Sequence, residues 1–451
     1  MKAWGPRSVL SSYPGFRWIW AGSTVSMAGT RALGVVYPLL AVLIGGSVVW
    51  AGWVVFACTA PTLLYVPAGA IVDRHDPRRV LMWSELLRVA ALASLVVALG
   101  WWELHLWHLL VVAFCEAALS VFSTLAMTAL IPAIVQKRDI GDAMAVQEGS
   151  VHVAVLAGRP LGGFLFGFGP VVPLVANLLL IGAFVGTLGK LNHSFTPRPG
   201  ARLLSEIRTG VREVRGNPFL RVAISLTACT NLIFQALVIV FIATGLAQGT
   251  STLVTGLVLA ATGIGGVVGA LMAPARSGIA AWMDDKTSGR PVLARLTDMA
   301  GLTRQGRSTL VLHTWLWAVA LILIVVTDTP FVFAVALALM GMSGGLSNVS
   351  IRTVTSRLGP HIVGRAAGVL RLVSLGAAAL GPLFGSALIM LFDVHAAVIV
   401  LLAMTLMISA VVTGVPALRE GLSPGWHDER RPVPVKAGMR ARMRSRQGAK
   451  V

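Results

Sequence analysis

Twelve long apolar stretches, each set off by a short polar segment, run along the chain. They cover residues 17–44, 49–72, 79–100, 105–132, 141–168, 170–192, 218–246, 251–274, 309–327, 330–357, 363–390 and 394–417. About 20 apolar residues at 1.5 Å each cross the ~30 Å hydrocarbon core of a bilayer. Lipid offers the backbone no water, so an uninterrupted apolar run can satisfy every peptide group only as a helix. Gly and Pro inside the runs are compatible with this, because neighbouring helices compensate for the groups they free. The pattern predicts an all-α integral membrane protein with twelve transmembrane helices.

Charge placement orients these helices. With the N-terminus inside, 34 of the 37 Lys and Arg fall in cytoplasmic segments or the adjoining helix ends, Arg88 among them. The six opposite loops hold none and carry Glu103, Asp328 and Asp393 instead. This is the positive-inside asymmetry, and it places both termini in the cytoplasm. Trp18, Trp20, Trp50, Trp53, Trp101, Trp102 and Trp107 stand at the ends of runs, where amphipathic rings favour the interface. The remaining cations, Arg31, Arg159 and Arg371, lie within spans.

Composition then excludes several classes. The chain is 56% hydrophobic and 12% charged, where soluble domains run near 25% charged. A soluble enzyme, a disordered chain and a collagen-like fibre are therefore out. The net charge of +19 would suggest nucleic acid if it formed a patch on a soluble domain. Spread along the inner membrane face, it orients helices and meets anionic lipid of the inner leaflet. Cys58, Cys115 and Cys229 all sit in apolar runs and read as packing residues, with no disulfide or zinc framework. The nine His are scattered, with no His-Glu-x-x-His and no nucleotide-binding Gly-rich loop. Neither an enzyme, nor an ATP-driven pump, nor a metal or other cofactor is expected. Arg outnumbers Lys 31 to 6, a coding bias that points to a bacterial plasma membrane.

The spans divide evenly. Residues 1–192 hold six, a basic connector occupies 193–217, and 218–417 hold six more with a polar insert at 276–308. A basic tail, 418–451, is expected to be disordered. In the connector, Leu203, Ile207 and Val211 share a helical face suited to lying on the inner membrane surface. A faint repeat aligns AGRPLGGFLFG of span five with ALGPLFGSALI of span eleven, setting Pro160 over Pro382 and Gly163 over Gly385.

The segment after span two reads GAIVDRHDPRR, with Gly69, Asp73, Arg74, Arg78 and Arg79 at fixed spacing. It resembles the signature of the major facilitator superfamily. TALIPAIVQKRDIGDAMAVQEG and LLSEIRTGVREVRGNPFLR are similar to its drug-proton antiporter branch, which includes macrolide and siderophore exporters. The resemblance implies the major facilitator fold, two six-helix halves that rock around a central site. It implies export of a small amphipathic organic compound (drug, natural product or siderophore-like) by proton antiport with alternating access. An importer or facilitator of the same fold, or a transport-inactive receptor or scaffold, is left open. The protein is expected to work as a monomer.

The resemblance also assigns roles. Asp73 would close a cytoplasmic gate against the start of span eleven near Gly364, where a helix N-terminus favours an anion. Arg74, Arg78 and Arg79 would join its charge network, and Gly69 would allow close helix approach. Gly158-Arg159-Pro160-Leu161-Gly162-Gly163 is similar to the span-five kink of antiporters, with Arg159 as the departure. Gly381-Pro382 keep a shorter form of it in span eleven.

Ionisable groups inside a membrane are costly and mark cavities or partners. Glu148, His152 and Arg159 are four and seven apart, on one face of span five. Glu116 lies deep in span four, and Arg31 or Arg159, at similar depth, would offset its burial. Arg31 is the preferred partner. Glu116 or Glu148 would carry the coupled proton. Thr227, Asn231 and Gln235 in span seven, with Met340, Ser347 and Asn348 in span ten, are read either as substrate contacts or as helix-helix hydrogen bonds.

Overall fold

The structure, a computed structural model, describes residues 6–101, 103–188, 211–212, 215–216, 218–272, 309–356 and 360–414. The expectations for the connector face at Leu203 and Ile207, the insert 276–308 and the tail 418–451 lie outside these residues.

The chain folds into α1 (Pro6–Ser12), α2 (Pro14–Gly45), α3 (Val48–Thr59), α4 (Tyr65–Arg74), α5 (Pro77–Trp101), α6 (Leu106–Ile134), α7 (Ile140–Phe166) and α8 (Val171–Leu188). The second half follows as α9 (Pro218–Ala247), α10 (Thr252–Met272), α11 (Thr309–Val326), α12 (Pro330–Ser356), α13 (Pro360–Leu391) and α14 (Val394–Gly414). Ten of these are long and apolar enough to cross a membrane, and α3 with α4 make an eleventh. The helix α7, 27 residues long and expected from the sequence as span five, falls short of that apolarity with Asp142, Glu148, His152 and Arg159 along it.

Two elements differ from the sequence expectation. Span two is not one rod. Pro61 and Pro67 each remove a backbone donor, and a 3-10 turn at Ala60–Leu64 separates α3 from α4. The two segments are bent by 55°. Ahead of span one, the short helix α1 packs Val9 beside Phe16, Ile131, Val135 and Ala143. The Tyr13 hydroxyl donates to Asp139 Oδ2 at 2.6 Å, tying this end to the α6–α7 link.

Ends are set by local chemistry. Gly46 takes φ +66, a left-handed conformation open to glycine, and its N–H closes α2 on Val42 O at 2.8 Å. Ser47 then caps α3, its Oγ accepting from Val49 N at 3.3 Å.

Lipid gives helices no hydrophobic reason to associate, so packing rests on close contact between small residues. A Cβ on Gly162 would stand 2.5 Å from Ala32 O, and one on Gly385 would stand 2.7 Å from Ala236 O. Between α10 and α12 the fit is reciprocal. Gly265 and Gly269 lie on Ala338 and Met342, while Gly341 and Gly345 lie on Thr262 and Gly266. Larger apolar side chains fill the rest of each half, Tyr37, Leu40, Leu92 and Leu109 in the first, Phe241, Trp317 and Phe333 in the second. Outward, Trp83, Trp101, Trp107, Phe331 and Val411 are exposed, an apolar exterior that suits acyl chains.

Candidate functional site

Glu85 and Arg88 are three residues apart on α5 and share a face. That face meets α6, which brings Glu116 and, seven residues on, Ser123. The Arg88 guanidinium is planar with five fixed donors, and the packing uses most of them. Nε and Nη2 donate to Glu116 Oε1 at 3.0 and 2.5 Å. Nη1 donates to Glu85 Oε1 and Oε2 at 3.0 and 2.9 Å. Nη2 also reaches Thr30 Oγ1 on α2, and Ser123 Oγ donates to Glu85 Oε1. Glu85 is 1% exposed, Arg88 2% and Glu116 4%. Three helices of the first half therefore meet on one buried guanidinium flanked by two carboxylates, a cluster with a formal charge of −1 when both are ionised.

This corrects the expected pairing. Glu116 binds neither Arg31 nor Arg159. Its partner is Arg88, assigned above to the cytoplasmic helix ends although it lies eleven residues inside α5. At 1.5 Å per residue that is about 16 Å from the helix start. Sequence reasoning missed Glu85 altogether. The signal was present as Glu-x-x-Arg inside the apolar run SELLRVAALASL.

Among the described residues the other interior cations make no ion pair with a carboxylate. Arg31 is exposed on α2, and its Cβ would lie 2.7 Å from a Cβ placed on Gly158 of α7. Arg159 Nη1 donates to the backbone carbonyl of Leu259 on α10 at 2.6 Å, crossing from one half to the other. Arg371 on α13 stacks over the Tyr65 ring, its guanidinium carbon 4.3 Å from the ring centroid. Glu148 is exposed on α7, and the side chain of His152 lies outside the described residues. Asn231 and Gln235 are partly buried on α9, and Asn348 is exposed on α12.

The Gly69–Arg79 motif, running from the end of α4 into the start of α5, is spread over a surface. Asp73 and Arg74 are exposed, and the surroundings of Gly364, the expected partner of Asp73, lie outside the described side chains. Asp76 caps α5 by accepting from Arg78 N at 2.9 Å, with Arg79 Nε 3.8 Å away. Arg78 Nε donates to Leu188 O at 3.2 Å and fastens α5 to α8. Gly69 does not serve close helix approach here, since a Cβ on it would meet open space. Beside the motif, a groove of about 800 Å³ opens between α4, α5 and α6, lined by Arg74, His75, Arg79, Trp83, Leu119 and Phe122.

The glycines of α7 and α13 reveal the internal repeat, one residue away from the sequence alignment. Gly158 lies on Ala28 and Arg31, while Gly381 lies on Leu232 and Gln235 at 2.5 and 2.6 Å. Gly162 and Gly385 repeat the contact at Ala32 and Ala236. Equivalent positions on α2 and α9 are thus 204 apart and those on α7 and α13 are 223 apart, where aligning the prolines gives 222. In this register Arg159 occupies the place of Pro382, and Gln235 that of Arg31. Both helices run unbroken through their prolines, so the glycines act as contact points.

The halves meet along α7–α10 and α3–α13. A Cβ on Gly256 would stand 2.5 Å from Arg159 O, and one on Gly52 2.9 Å from Pro382 O. Gly163 lies against Thr252 O. All these contacts fall toward the end of the bundle that carries the cation-free loops.

Comparison with known proteins agrees with this architecture. A family model described as Major Facilitator Superfamily matches residues 19–296, more than half of the chain. Macrolide efflux protein A of Streptococcus pyogenes is 22% identical over 174 residues, 38% of this chain and 43% of that protein. The chain thus matches less than half the length of that relative. An MFS-type transporter of Sinorhizobium fredii, y4rN, is 27% identical over 275 residues, 58% of this chain and 67% of its own. Among solved structures, a bacterial homologue of the human lysosomal transporter Spinster, inward-facing and unoccupied, superposes with a TM-score of 0.64 at 13% identity. That alignment covers 91% of this chain and 98% of the other. The nucleoside transporter NupG gives a TM-score of 0.62 at 11% identity over 88% and 98%. With membrane-spanning helices in two repeated halves and a family match over most of its first half and into the second, the chain belongs to the major facilitator superfamily and is a multi-pass membrane transporter.

Proposed function

We propose that the protein exports a small amphipathic organic compound across a bacterial plasma membrane in exchange for protons, by alternating access. The observation that carries this is the buried Glu85–Arg88–Glu116 cluster. One guanidinium neutralises one carboxylate, so the cluster has charge −1 when both are ionised and becomes neutral on taking up one proton. A buried group that changes charge biases the equilibrium between conformations that bury it differently. Because the cluster joins α2, α5 and α6, its bonds to Thr30 and Ser123 would rearrange with that proton.

Both termini are read as cytoplasmic from the cation-free loops on the opposite side. On that assignment the contacts at Gly52, Gly163 and Gly256 lie at the outer end, as an inward-facing state would place them. Asp73, Arg74, Arg78 and Arg79 would engage when the inner end closes. The similarity to macrolide efflux protein A supports export of a natural product, and lipid and protons complete the expected partners of a working monomer.

Purified protein in proteoliposomes with an imposed pH gradient provides the test. Substrate flux should follow the gradient, and Glu116→Gln should uncouple it. Flux that ignores the gradient ends the antiport proposal.

A further inference from the structure

We infer that the compound carried is an organic anion, recognised by Arg31, Arg159 and Arg371; this names the substrate class of the transport site proposed above and rests on that proposal. Both interior carboxylates of the α5–α6 face are committed to Arg88. Among the described residues no carboxylate lies within ion-pair distance of Arg31, Arg159 or Arg371. Three positive charges are therefore held inside the bundle without an ion-pair partner among the described residues, and the Arg88 cluster, of charge −1 when both its carboxylates are ionised, leaves them in excess.

They also lie together. Arg31 is within electrostatic reach of Arg159, of Tyr65 and of the Glu116 carboxylate, and Tyr65 is the ring on which Arg371 stacks. Arg31 and Arg371 are exposed although each lies at least eleven residues inside its helix, about 16 Å or more from either end. They come from α2, α7 and α13, so the two halves share the set. Like charges in a poorly screened interior repel, and an anion between them removes that repulsion.

The internal repeat supplies the control. Gln235 occupies the second-half equivalent of Arg31, with the same approach to a glycine, 2.6 Å against 2.7 Å. Packing at this point therefore needs no charge. Arg159 likewise stands where the second half has Pro382, a residue with no side-chain donor. Its bond to Leu259 O satisfies one N–H and leaves the positive charge unopposed. Both arginines exceed what the scaffold requires. A guanidinium pair offers the bidentate geometry that carboxylate, sulfonate and phosphate groups accept. Arg31 and Arg159 would hold such a head group, with Arg371 on Tyr65 at the approach from the open end, while the apolar body lies against the helix walls.

Equilibrium binding to the full chain in dodecyl maltoside tests this without any gradient. The probe is 11-(dansylamino)undecanoate, followed by fluorescence against empty micelles and displaced by octanesulfonate or octyltrimethylammonium. The sulfonate should displace it at a concentration at least about tenfold lower than the ammonium compound. Arg31→Gln and Arg159→Gln should each weaken probe binding about tenfold or more, with Arg31→Lys retaining most of it. Arg31→Gln reproduces a residue the fold already accommodates at Gln235, so its effect is not one of folding. The inference is overturned if wild type binds no anionic probe, if the ammonium compound competes as well as the sulfonate, or if monodisperse Arg31→Gln binds like wild type. Failure of proton coupling is a separate result, namely flux indifferent to pH with anion selectivity intact.

Discussion

Replacing Arg88 with Gln removes the one group that holds α5, α6 and α2 together through charge. Glu116 loses two bonds and Glu85 two more, while both residues sit buried, 4% and 1% exposed. Stranding one buried charge costs about 3–5 kcal/mol, because desolvation is no longer offset by a partner. Here two carboxylates lose the same partner, so the expected loss lies at the upper end, about 5 kcal/mol. Arg88→Lys should recover only part of it, since an ammonium is a point charge and cannot fork between Glu85 and Glu116. The measurement is denaturant-induced unfolding of detergent-solubilised protein, wild type against Arg88→Gln. The informative comparison is the triple variant Arg88→Met, Glu85→Gln, Glu116→Gln, which removes all three charges and should regain most of the lost stability. If Arg88→Gln unfolds at the wild-type midpoint, or the triple variant is no more stable than the single one, the electrostatic account of the cluster is wrong.

Four further outcomes are expected. Gly269→Val places a side chain on the Met342 carbonyl and should destabilise by about 1–3 kcal/mol. Gly34→Ala, where a Cβ meets nothing within 4 Å, should be neutral or stabilise by up to about 1 kcal/mol, as the same unfolding curves will report. Gly163→Val intrudes on Thr252 O between the halves and should move the population away from this closed end, about 5- to 30-fold for 1–2 kcal/mol of strain. Spin-label distances between the outer ends of α3 and α13 should lengthen, and unchanged distances refute the closure contact. Asp73→Asn, exposed here, should leave stability within about 0.5 kcal/mol while transport in proteoliposomes falls. A loss of stability with transport intact would refute the gate role.

The architecture was legible because one physical constraint dominates it. In lipid the backbone must bond to itself, so hydrophobic runs announced the helices, and the motif at Gly69–Arg79 announced the family. What the runs could not announce was the bend in span two, where Pro61 and Pro67 act together within a few residues. The repeat in spans five and eleven was visible too, but matching prolines misplaced it by one residue. The contact-making glycines define the register, and they are recognisable only once their neighbours are known.

Charge divides the same way. Sequence by itself determined which residues are ionisable, how deep each lies along its own helix, and that three cations are in excess over the cytoplasmic set. It could not say which acid meets which base, because partners on different helices are fixed by helix rotation and crossing, not by depth. Arg88 looked like one more inner-face cation until packing brought it against Glu116 and Glu85. Tertiary structure alone decided that pairing, and with it which arginines were left over. Among the described residues Arg31, Arg159 and Arg371 make no ion pair, because the single buried guanidinium of Arg88 already engages both carboxylates of the α5–α6 face.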